Sequence, residues 1–177
     1  MTTVTKSNAE LYRVRHNTCE GWGDVILICG KESVSVMINS DYGSFSHVWT
    51  HCGCEPKAFL CDMDFHYTMK KLSNYNLYID NPQGYPAEIK ERIIVARRHD
   101  ENLTKEEARE AWEDMLNTEH SEGDLFFKEL IDHPLFGKVF GDYEYLPSAK
   151  MIDPHCQDLW DRVWTPFIKQ LKEELAA

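Results

Sequence analysis

The sequence predicts an α+β protein, an antiparallel sheet of three to four strands with a helix packed on it, followed by an acidic α-helical region. Three observations carry that expectation. Apolar and polar residues alternate along Val34, Val36 and Ile38, and again along Phe45, His47, Trp49 and His51, with the turn Asp41-Tyr42-Gly43 between them. The period changes to that of a helix from about Lys57 to Leu72. Beyond Pro86, helical periods recur with cap and stop residues around each.

Taken in order, Leu11 to His16 alternates weakly and reads as a first strand. Cys19 to Asp24 has the Gly and Asp punctuation of a loop. Asp24 to Cys29 (DVILIC) is a short, continuous, β-branched run ended by Gly30, which predicts a central strand buried on both faces. With the two alternating strands it makes an antiparallel meander. Pro56 stands where a helix can begin, since its missing N–H costs nothing in a first turn. The helix that follows has Phe59, Leu60, Met63 and Tyr67 on one side and Cys61, Phe65, Met69 and Leu72 on another. A helix apolar on two sides is expected to be covered on more than one face.

Ser73 to Tyr85 reads as a connecting loop and Pro86 to His99 as a helix with Ile89, Ile93 and Ala96 on one side. Thr104 with Glu107 forms a capping box that opens a helix to about Asn117, with Ala108, Ala111, Trp112, Met115 and Leu116 as its apolar positions. Asp124 caps a helix over Leu125 to His133, stopped by Pro134. A short apolar segment, Leu135 to Phe140, follows. The last helix starts at Asp153-Pro154 and carries Leu159, Trp160, Val163, Trp164, Phe167 and Leu171 along one side. Pro166 must kink it, or divide it with Thr165 as a new cap. No linker or repeat interrupts the chain, so residues 1–177 are expected to form a single domain, with a meander and helix over 1–72 and a helical region over 86–177.

The 177 residues are 42% hydrophobic and 12% aromatic, enough to bury a core. No run of 18 apolar residues occurs, and the first ten residues lack a signal-peptide pattern, so a cytoplasmic protein is expected. In that compartment the six cysteines are expected to be free thiols. Charge is uneven along the chain. Residues 1–99 carry 11 acidic and 11 Lys or Arg residues, whereas residues 100–177 carry 19 and 8, so the formal charge of −11 falls in the second part. Such a region is repelled by nucleic-acid phosphates and drawn to basic surfaces.

Several chemistries can be weighed on spacing. His47, His51, Cys52, Cys54, Cys61 and His66 are dense enough to suggest zinc. On a regular strand, however, His47 and His51 lie roughly 13 Å apart at roughly 3.3 Å per residue, too far to share one ion. Cys61 and His66, five apart on a helix, point away from each other. Asp62 and His66 are four apart and can meet, which on a helix surface is more often an ion pair than catalysis. There is no HExxH, GxSxG or GxxxxGK[ST], and Gly21-Trp22-Gly23 precedes a strand rather than following one. No metal, cofactor or catalytic residue is therefore assigned. The best basic cluster, Arg92, Arg97 and Arg98, is followed at once by Asp100 and Glu101, which argues against direct nucleic-acid binding. The opposite sign is better placed. Glu106, Glu110, Glu113 and Asp114 share the exposed side of the capped helix and can imitate a row of phosphates, although exposed helices are commonly Glu-rich for propensity alone.

Ser40-Asp41-Tyr42-Gly43, Trp49, Gly53, Phe59-Leu60, Asp64, Tyr67 and Lys71-Leu72 together resemble a segment of small accessory proteins encoded by bacteriophages and prophages. The resemblance covers about a quarter of the chain, is aromatic and turn-forming, and brings no activity that transfers to residues here. It implies a genetic setting, in which accessory proteins act on host proteins, including immune systems, in the host cytoplasm. The expectation is a non-enzymatic protein that binds a basic host protein through Glu106, Glu110, Glu113 and Asp114, with anti-defence inhibition of a nucleic-acid-binding effector such as a CRISPR complex as its sharpest form. A metal-assisted hydrolase using the Cys52–His66 region is one alternative. A homo-oligomer joined through Trp160, Trp164 and Phe167 is the other.

Overall fold

The computed structural model describes residues 2–117 and 124–177, with the side chains of Asn117 and Asp124 left aside; the expected Asp124 cap lies outside the described residues. The protein is α+β, and its chain divides into two compact units. A sheet unit is built from residues 1–78 and 152–177, and a helical unit from residues 79–151. The boundary differs from the expected 86–177 block, because the terminal helices belong with the sheet.

The sheet contains β1 (Glu10–Val14), β2 (Gly23–Cys29), β3 (Val34–Ser40) and β4 (Gly43–Trp49), antiparallel in that order. Val25 pairs with Ile38, and Ile38 with Phe45, so the alternating residues fall in register across the meander. The β3–β4 turn is tight, with Gly43 at a φ of 113° that a side chain would strain. Val25, Leu27, Val34, Val36, Ile38 and Trp49 point to one face and are buried there. The expectation that β2 is covered on both faces fails. Ile26 and Ile28 lie on the outer face and are only half-buried, beside the exposed Leu11, Met37 and Val48.

Two helices stand where one long helix is expected. α1 (Pro56–Cys61) stops, and α2 (Phe65–Leu72) starts afresh with Asp64 as its cap. The Asp64 carboxylate accepts from the Tyr67 N–H at 2.9 Å, and its carbonyl accepts from the Thr68 hydroxyl at 2.7 Å. A side chain that offers the backbone this alternative ends one helix and opens another. Leu60, Met69 and Leu72 pack against the sheet.

After the helical unit the chain returns through α7 (Pro154–Leu159), a π turn over Trp160–Trp164, and α8 (Thr165–Ala176). Pro166 has no N–H to offer Arg162 four residues back. His16 Nε2 instead lies 2.8 Å from the Arg162 carbonyl oxygen, as the donor that oxygen requires. The disturbance that Pro166 predicts is thus taken up one turn earlier, by π winding, and Thr165 makes no side-chain cap. Leu159, Val163, Trp164, Phe167 and Leu171 complete the core over the sheet. Gly23 passes so close that a Cβ there would meet Val163 Cγ1 at 2.4 Å.

The helical unit holds α3 (Tyr85–Arg98), α4 (Lys105–Asn117), α5 (Asp124–Asp132) and α6 (Phe136–Val139). Its core gathers Ile89, Ile93, Ala96, Ala111, Met115, Phe126 and Leu130, with Tyr85 stacked on Phe126 at 5.4 Å. The capping box is present. Thr104 Oγ1 accepts from the Glu107 N–H at 3.2 Å, and Glu107 accepts from the Thr104 N–H at 2.9 Å. Two short strands, β5 (Tyr78–Asp80) and β6 (Lys150–Ile152), pair where the chain leaves the sheet unit and where it comes back. No helix of the described residues is long and apolar enough to cross a membrane.

Candidate partner-binding surface

Helix α4 lays its buried residues, Ala111 and Met115, against the helical core, which leaves the opposite side to solvent. Glu106, Glu110, Glu113 and Asp114 are all exposed there. At 3.6 residues per turn the four fall within about a third of the helix circumference. They are not equivalent. Glu113 accepts from Arg109 at 2.8 Å, a pair with both side chains largely in water. Asp114 lies 3.7 Å from His133 Nε2. Glu106 and Glu110 form no hydrogen bond or ion pair among the described residues. Glu107, one position round, is tied to Lys138, whose ammonium, with the Thr104 N–H, holds its carboxyl below the usual range. Residues 79–151 carry 17 acidic and 9 Lys or Arg residues, so −8 of the formal −11 belongs to this unit.

Beside the acidic row is a feature that the apolar pattern concealed. Trp112 fits the helical period and is expected in the core, yet it is 40% exposed. Ala108, Ala111 and Met115 already fill the buried side, so the indole lies on the flank, with Lys90 Nζ 5.5 Å from its ring. Trp112, Ile94, Arg97 and Arg109 line a shallow cleft of about 250 Å³. An exposed tryptophan next to arginines is the composition of interface anchors. Arg92, third of the basic cluster, instead covers the Tyr145 ring at 4.4 Å.

The Cys52–His66 region is not assembled as a site. Among the described residues no three His, Cys, Asp or Glu side chains come together in a way that could hold a metal ion. The six cysteines are free thiols. Burial pushes the Cys52 and Cys61 thiols up, away from the reactive thiolate. His47 meets the Trp49 ring edge-on at 4.6 Å, and burial lowers its pKa. Asp62 ends α1 while His66 lies in α2, so the four-residue spacing on one helix that would bring them together does not exist. Trp164 and Phe167, taken as dimer-forming in one alternative, are each 1% exposed within the core of the sheet unit.

The residues that carry the phage resemblance are occupied in building the sheet unit. The Asp41 carboxylate accepts from the N–H groups of Gly21 and Trp22 at 2.7 and 3.2 Å, fastening the β1–β2 loop to the β3–β4 turn. Trp49 donates its indole N–H to the Tyr67 hydroxyl at 3.1 Å. Leu60 and Leu72 are core. A family model described as a phage family matches residues 2–173, far beyond the stretch that carries the resemblance. No curated protein and no solved structure matches the chain.

Proposed function

The chain belongs to that phage family, and from this premise we propose that it acts in the host cytoplasm as a non-enzymatic accessory protein, binding a basic host protein through the exposed side of α4. The observation that carries the reading is the placement of Glu106, Glu110, Glu113 and Asp114 on one solvent-facing side of a helix, in a unit of formal charge −8. Carboxylates spaced along a helix face present a row of negative charge to a channel that normally holds phosphates. Such charge speeds encounter and sets salt dependence more than it sets final affinity. Trp112 beside the row supplies the apolar anchor that charge alone lacks. In its sharpest form the partner is a nucleic-acid-binding defence effector, a CRISPR complex among them, and the bound protein excludes its nucleic acid.

The experiment compares the wild-type chain with a variant bearing Glu106→Gln, Glu110→Gln, Glu113→Gln and Asp114→Asn. Both are used to capture proteins from host lysate, and the captured partner is then purified and titrated over a range of salt. The variant is expected to bind more weakly, with a shallower fall of affinity with salt, and Trp112→Ala is expected to cost about tenfold or more. The wild-type protein is expected to displace a DNA or RNA duplex from that partner. Equal binding by the amide variant at every salt concentration removes the electrostatic reading.

A further inference from the structure

We propose that a cleft in the sheet unit, between the α1–α2 turn and the final helical segments, binds a soluble amphipathic organic acid, an apolar ring or chain bearing a single carboxylate or comparable anionic group. The cleft holds about 500 Å³, a volume that suits one small molecule. Met63, Trp160, Trp164 and Ile168 give it an apolar wall. Trp160 and Trp164 stack with ring centroids 6.3 Å apart and planes 21° from parallel, across the π turn that both belong to. Single π turns inside helices are frequent at functional sites.

Charge defines the other end of the ligand. Lys169 and Lys172 line the cleft, and neither forms an ion pair among the described residues, although the chain carries 30 carboxylate side chains against 19 Lys and Arg. Glu173 lines it as well, which leaves one net positive charge, the complement of a monoanion. A cation is repelled there, and a neutral amphiphile leaves that net positive charge unanswered.

Behind the apolar wall is an orphaned donor. Trp164 is 1% exposed, and its indole N–H has no hydrogen-bond partner among the described residues. Buried polar groups in folded proteins are nearly always satisfied. That N–H is closed to the cleft as well as to solvent, so the ligand's anionic group is answered by Lys169 and Lys172 and not by the indole. The apolar wall and the cationic residues are thus what select the ligand. The cleft shares no residue with the acidic helix.

The test titrates the full chain with decanoate below its micellar range, read by tryptophan fluorescence and by calorimetry. Decanol serves as the uncharged comparison, and vesicles of phosphatidylglycerol and phosphatidylcholine as the membrane-bound source of the same chemistry. Saturable one-to-one binding of decanoate is expected. Lys169→Gln with Lys172→Gln, both at exposed positions that leave the core intact, is expected to weaken decanoate about tenfold while leaving decanol unchanged. Ile168→Glu is expected to weaken both ligands, with circular dichroism confirming the fold of each variant. The proposal is overturned by the absence of saturable decanoate binding, by decanoate affinity unaltered in the double-glutamine variant, or by binding to the anionic vesicles alone.

Discussion

Lys57 shows how single residues close the sheet unit. Its ammonium lies 2.6 Å from Glu10, 3.1 Å from the Tyr12 hydroxyl and 3.6 Å from Glu174, so one side chain of α1 engages β1 and α8 at once. The Tyr12 hydroxyl, with one proton to give, lies 2.7 Å from Glu10 and 2.9 Å from Glu174 and donates to one of them at a time. Burial and the Glu10 hydrogen bond push the Tyr12 phenol up to about 12, so it remains a donor throughout the neutral range. Hydrogen bonds from Lys57 and Tyr12 hold Glu10 below its ordinary 4.5, while Glu10 raises Lys57 above its ordinary 10.5. The signs give a window. The Glu10 contribution is complete above about 4.5 and is lost as pH falls through the depressed value. The Lys57 contribution is complete below about 10.5 and is lost only as pH rises through the elevated one. Lys57→Met is expected to lower stability by about 1 kcal/mol at pH 7, discounted for the solvent exposure of its partners. Urea unfolding at pH 7 and pH 3 checks both statements, since the difference between wild type and variant should shrink in acid. A difference that persists undiminished at pH 3 would assign the effect to packing of the lysine stem instead.

Among the elements, α4 depends most on its start. The Thr104–Glu107 box satisfies two N–H groups of the first turn, and Glu107 is held in turn by Lys138. Thr104→Ala is expected to cost about 1 kcal/mol, read as a lower urea midpoint of the helical unit, with Thr104→Ser recovering most of it. This box, the β3 and β4 alternation and the α3 face were legible in the sequence because each is a local pattern with a local cause. Four features were not legible in that way. The apolar run of β2 implies cover on two faces, but periodicity cannot report that Ile26 and Ile28 stay only half-buried. The division of the long helix had its signal in Asp64, a cap residue sitting within an otherwise continuous apolar pattern. Pro166 announces a disturbance without saying where, and the π turn that absorbs it lies at Trp160–Trp164, stabilised from outside by His16. The exposure of Trp112 depends on which neighbouring residues reach the core first, and that is a tertiary fact.

For the whole molecule, the two cores share no residue. Met115 is 1% exposed in the helical one, and Met115→Ala is expected to cost about 2–4 kcal/mol. Hydrogen exchange should localise that loss to residues 85–117 and 124–140, with the amides of β2 and β3 keeping most of their protection. Equal loss in both units would mean that they unfold as one. The uneven charge noted along the sequence follows this division, since the helical unit carries most of the deficit while the sheet unit is nearer neutral. The placement of the four α4 carboxylates was readable from helical spacing, whereas the cleft beside Trp160 needed residues about a hundred positions apart to be brought together. The division also sets how far along the chain each core must reach. The helical unit is uninterrupted in sequence, so its core closes over contacts within one continuous stretch of chain. The sheet core also needs Leu159, Val163, Trp164 and Phe167 from beyond that stretch, and without them its apolar side is covered only in part, by Leu60, Met69 and Leu72. A released chain truncated before residue 152 therefore keeps every residue of the helical core and lacks part of the cover of the sheet, which makes such a fragment prone to aggregation.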